Sequence, residues 1–196
     1  MKWLLLVAFL AACPKGGDKP KPVEPVKRDD AQGRLLPEIE EIFRMAHDNN
    51  AAIFFGHPTK PEFKAMAEFS HKIGFKRGVV DHPFSPFVNL TIEEMKDAAA
   101  ADLWLNFTFD ELSPLLGIDP ANMYKAIRTV GPTHCTLSSD AGEPLFPNSV
   151  ESLRLLRGYM SAFGCTEEEI YTMSTANPAF IVGLSLETKR RASAAH

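Results

Sequence analysis

Three apolar stretches of this chain each run into a side chain able to ligate a metal: AAIFFGHP into His57, RGVVDHPF into His82 and CTLSSDAG into Asp140. Short continuous apolar runs bounded by Gly and Pro read as strands buried on both faces. Parallel strands deliver the residues at their carboxyl ends to a common rim. Two neutral imidazoles and a carboxylate gathered there are the donor set of a catalytic zinc site, three protein groups with one position left for water. Manganese, iron, nickel or cobalt would take the same donors, because ligand type alone does not choose among them. A divalent ion would bring the pKa of a water toward neutrality, and Asp140 could accept its proton.

Other residues near these strand ends are candidates of a second rank. Asp110 and Glu111 follow the third apolar run and are placed to contact substrate or metal; a solvated acidic loop is the plainer alternative. Asp81, adjacent to His82, could orient an imidazole as an outer carboxylate. Phe84 and Phe87 in HPFSPF suit either an apolar pocket wall or the core. His47, His71, His134 and His196 sit at helix, strand-start or terminal positions and are assigned to structure or solvent.

The elements that must hold these residues alternate. Pro37 opens a helix with Ile39, Ile42, Phe43 and Ala46 on one face. Thr59 with Glu62, Thr91 with Glu94 and Thr166 with Glu169 have the spacing of capping boxes. Asp119 and Pro120 open a helix that stops at Gly131, Asn148 caps one that stops at Gly164, and Asn177-Pro178 begins a short last one. Four strands, AAIFFGH, KRGVVDH, DLWLNFTF and HCTLSSD, recur about every 25 to 32 residues between helices, the signature of parallel strands joined by helical crossovers.

At 196 residues, 45% hydrophobic, 23% charged and net charge −4, the composition is that of one globular domain and offers no basic surface for nucleic acid or an anionic membrane. Cys135 and Cys165 read as core thiols, with a bridge between them as the alternative. Lys2, the apolar Trp3–Leu10 and the small residues before Cys13 resemble a bacterial lipoprotein signal, residues 1–13, with Cys13 as the lipidated residue. That places the protein on the periplasmic side of the cell envelope, and in the cytoplasm if the signal reading fails. Residues 14–34, rich in Pro and Lys, read as a tether, residues 35–187 as the domain and 188–196 as a fraying tail.

Taken together, GHP, VDHPF, LSSDAGEPLFPN and NPAFIVGL resemble the amidohydrolase superfamily of metal-dependent hydrolases, and most closely the amidohydrolase-like family DUF6282. The likeness runs from about Leu36 to Leu186, its last two motifs being the most specific. It implies a (β/α)8 barrel of which this chain supplies four strands, with His57, His82 and Asp140 as metal ligands and Asp140 also as general base. It implies hydrolysis of a C–N, C–O or P–O bond in a small molecule by a metal-activated water, zinc being the first expectation. The His-x-His pair of that superfamily's first strand is absent from the sequence. The alternative is therefore a catalytically degenerate half barrel that binds a ligand or partner. Open strand edges invite closure, by a second copy or by a complementary half barrel.

Overall fold

The computed structural model describes residues 28–30, 32–144 and 146–184; Cys13, the signal segment, most of the tether and the tail lie outside the described residues. Four parallel strands form one sheet in chain order: β1 (Ile53–Phe54), β2 (Gly78–Asp81), β3 (Trp104–Thr108) and β4 (Cys135–Ser138). The register aligns Asp81 with Asn106 and Asn106 with Thr136. β1 is shorter than its apolar run suggests. It is an edge strand, and beyond Phe54 a backbone bond from Phe55 N–H to the Val79 carbonyl (2.9 Å) carries the pairing on.

Each crossover helix starts where the sequence supplies a cap. In α2 (Lys60–Ile73) and α3 (Ile92–Ala100), Thr59 and Thr91 accept the backbone N–H three residues on, while Glu62 and Glu94 reach back. α5 (Pro120–Val130) is capped by Asp119 and α6 (Ser149–Phe163) by Asn148. α1 (Pro37–Asp48) precedes β1. α7 (Glu167–Tyr171) passes through a π-helical turn, Thr172–Ala176, directly into α8 (Asn177–Ile181), so the short last helix continues its predecessor. α4 (Phe109–Leu112) is a single turn where the sequence suggested a loop.

Because side chains alternate along a strand, the sheet has two chemically different faces. Val80, Leu105, Phe107, Cys135 and Leu137 point to the main core with Phe43, Phe63, Met66, Phe69, Met95, Met123, Ile127, Leu156 and Met160 from the helices. Phe43 of α1 meets Phe55, Phe69 and Phe75 at 5.7–5.9 Å between ring centroids, pairs worth about 0.5–1.5 kcal/mol each beyond the area they bury. The opposite face carries Val79 and Trp104 under Ile181 of α8. Arg77 fixes that helix by donating to the carbonyls of Phe180 (2.8 Å) and Ile181 (2.7 Å). Asn177 donates to the Pro132 (2.8 Å) and Cys135 (2.7 Å) carbonyls, a structural use for the NPAF motif.

Ahead of Leu35, Arg28 pairs with Glu62 of α2 at 3.4 Å and Asp29 bridges Leu35. Cys135 and Cys165 are both buried and free. Among the described residues no helix is long and apolar enough to cross a membrane.

Candidate active site

A cavity of about 680 Å³ opens at the carboxyl ends of the strands, and His57, His82, Asp110 and Asp140 all line it, with Ser85, Phe87, Leu115, Leu116, Ser139 and Glu143. The three residues singled out first by the sequence therefore line one cavity. Backbone geometry presents them. His82 (φ +34°) and Asp140 (φ +48°) hold the left-handed conformation that side chains other than Gly rarely adopt, and Gly56, at φ +65°, makes the turn before His57. Strain of this kind costs on the order of 1–3 kcal/mol per residue and concentrates at functional sites.

The two imidazoles stack, with centroids 4.7 Å apart and planes at 15°. Phe87 packs on His57 at a tilt, with centroids 4.6 Å apart and planes at 43°. His82 is buried and its Nδ1 engages the Ser85 hydroxyl at 3.2 Å, leaving Nε2 as its other polar atom. His57 is exposed. Its pKa is lowered, first by partial burial and then by the neighbouring His82, which favours the neutral ring that a metal or a proton requires.

Among the carboxylates, Asp110 has its pKa raised, first by burial and then by Asp140, and its Oδ1 is a buried acceptor without a hydrogen-bond partner among the described residues. Glu111 behaves differently from the sequence expectation. It does not line the cavity but is fully buried, accepting the N–H of Phe84 on Oε1 (2.8 Å) and that of Thr108 on Oε2 (2.9 Å). The reason is local: as the third residue of α4 its carboxylate closes a capping box at Thr108, and this brings it under the His82-Pro83-Phe84 turn. Burial pushes its pKa up to about 8. Phe87 serves as cavity wall, whereas Phe84 packs toward Phe107 at 6.1 Å.

The metal expectation meets a mixed geometry. The donors agree in kind and share a cavity, and the unpartnered Asp110 Oδ1 is the sort of oxygen a cation would satisfy. Among the described residues, however, no three His, Cys, Asp or Glu side chains stand close enough to hold one ion. The stack bears on this, because ring-nitrogen lone pairs lie in the ring plane and those of stacked rings run side by side instead of converging.

Strand register, which the sequence does not fix, turns Asn106 inward near the rim, and sequence reasoning missed Thr136. Thr136 Oγ1 donates to Asn106 Oδ1 (2.9 Å) and Asn106 Nδ2 donates to Asp81 Oδ1 (2.9 Å), a polar row across β4, β3 and β2. Polar residues inside otherwise apolar strand runs were the available signal.

A half barrel of parallel strands with its candidate chemistry at their carboxyl ends is the architecture of the amidohydrolase-type barrels, and solved structures bear this out at the level of fold. A metallopeptidase of family M19, dipeptidase AC, superposes with a TM-score of 0.58 at 17% identity, over 78% of this chain and 49% of its own. An amidohydrolase from Burkholderia multivorans, solved with bound HEPES, superposes with a TM-score of 0.56 at 11% identity, over 76% of this chain and 58% of its own. The chain spans about half the length of these structures. It belongs to DUF6282, a family of unknown function whose model matches residues 9–106. That match takes in His57, His82 and Asn106 and ends before Asp140 and the two closing motifs. No curated protein matches the chain in sequence.

Proposed function

We propose that this chain carries half of the active site of a metal-dependent hydrolase of amidohydrolase type acting on a small molecule. The observation that carries the reading is the convergence of His57, His82, Asp110 and Asp140 on one cavity at the carboxyl ends of parallel strands. A divalent ion held by His57, His82 and Asp140, zinc first by donor type, would supply Lewis acidity and a more acidic water. Asp140 is assigned the proton from that water. Asp110 is assigned to a polar group of the substrate, whose apolar part would lie against Phe87, Leu115 and Leu116. The bond cleaved is C–N, C–O or P–O. Leu10-Ala11-Ala12-Cys13 supports anchoring by a lipid on Cys13 at the periplasmic side of the envelope.

Closure of the barrel belongs to the same proposal. β1 and β4 are open edges, and Phe54 on β1 is 52% exposed. Either a second copy or a complementary four-stranded unit would cover these edges, and mass in solution distinguishes the two.

The experiment is metal analysis of the full chain, purified in mild detergent without chelator, followed by zinc titration and assay of simple amide and ester substrates. Stoichiometric metal that is lost in the His57→Ala, His82→Ala double variant supports the hydrolase reading. A well-folded protein with no affinity for zinc sinks it. The stacked imidazoles and the lack of a His-x-His pair favour the second reading in that event: a degenerate half barrel that uses the cavity to bind a ligand.

A further inference from the structure

The row of side chains on the inner face of the sheet has a direction. Thr136 O–H donates to Asn106, and Asn106 N–H donates to Asp81. Every donor points toward Asp81, so each bond polarises the next. The row starts on β4, crosses β3 and ends on β2 at Asp81, the residue before His82. Its register is fixed, because Asp81, Asn106 and Thr136 are paired neighbours in the ladder.

Asn106 is the hinge of this row. Its side chain holds Asp81, while its backbone carbonyl accepts the N–H of His82 at 2.9 Å. It is buried, as is Thr136, and both amide ends are used, so its orientation is determined by its partners. Asp81 in turn precedes His82 in the chain, and His82 stacks on His57 with ring centroids 4.7 Å apart. An apolar side chain at position 106 would pack a strand interior equally well, whereas the asparagine ties β4 and β2 to the His82 turn.

We propose that Asn106 is a positioning residue that, through Asp81 and the His82 turn, sets the spacing of His82 from His57. Asn106 touches neither imidazole with its side chain and acts by fixing the turn that carries His82. This rests on the hydrolase reading for its purpose, since the spacing matters for joint ligation, but the spacing itself is measurable without metal.

The test uses the full chain and two substitutions. Asn106→Leu removes both side-chain bonds at similar volume; Thr136→Val removes only the far one. In metal-free protein, the ring protons of stacked imidazoles shift each other upfield in proton NMR. In Asn106→Leu those shifts for His57 and His82 are expected to relax toward exposed-histidine values, with a smaller relaxation in Thr136→Val. Zinc affinity, titrated with zinc alone, is expected to fall roughly 10–100-fold in Asn106→Leu, the usual effect of removing an outer partner. Histidine shifts identical to the parent in a cooperatively folding Asn106→Leu overturn the proposal. Should that variant not fold, Thr136→Val decides by the same shifts. Shifts that move in a protein that never binds zinc uphold the positioning role and count against the hydrolase reading instead.

Discussion

Replacing Glu111 by Gln should change how stability depends on pH, because Glu111 is a fully buried carboxyl whose pKa stands at about 8 against an ordinary 4.5. Between those two values the unfolded chain has released the proton and the folded chain still holds it, so raising the pH favours unfolding. The slope is about 1.4 kcal/mol per pH unit, and across the window the loss approaches roughly 5 kcal/mol. Gln carries no charge and removes that slope. It also turns an N–H toward one of the two backbone donors, Phe84 or Thr108, which each give their hydrogen bond to Glu111 in the parent. The unmade bond costs about 1–3 kcal/mol. The variant should therefore be less stable than the parent near pH 5 and equal or more stable above pH ~8. Urea unfolding followed by circular dichroism at half-unit pH steps measures both curves. Parallel curves would refute the reasoning, since they would mean that Glu111 titrates alike in both states.

Four further outcomes follow from named contacts. The His57 pKa is lowered by partial burial and then by His82, so His82→Ala should raise it toward 6.5, read by an NMR pH titration; an unchanged or lower value would remove the like-charge account. As His57 resists protonation when folded, acid below 6.5 should draw the parent toward unfolding through this residue. Gly78→Ala would set a Cβ 2.7 Å from Leu103 Cδ2 and 3.2 Å from Phe55 Cζ, an overpacking expected to cost about 1–3 kcal/mol in urea unfolding. Thr91→Ala removes the hydroxyl that accepts Glu94 N–H at 3.2 Å and should cost about 1 kcal/mol in the same assay.

Much of the architecture was legible because it rests on local signals. Capping boxes at Thr59, Thr91 and Thr166 mark helix starts through side chains within three residues, and apolar runs mark strands buried on both faces. The convergence of His57, His82 and Asp140 was legible for a related reason: parallel strands send their carboxyl ends to one side, whatever lies between them. What the sequence withheld depends on partners far along the chain. Glu111 looks like half of an acidic loop until Phe84, 27 positions away, is seen to donate to it. Asn106 and Thr136 acquire meaning only through register, which no local pattern fixes. The stacking of the imidazoles likewise follows from side-chain rotation about turns, on which periodicity is silent.

The left-handed backbone at His82 and Asp140 sets durability against the chemistry proposed for them. Glycine at either position would relax the turn and lengthen the lifetime of the folded chain, while deleting the imidazole or carboxylate. A library screened only for heat resistance should thus enrich glycine at these positions, and one screened for turnover should purge it.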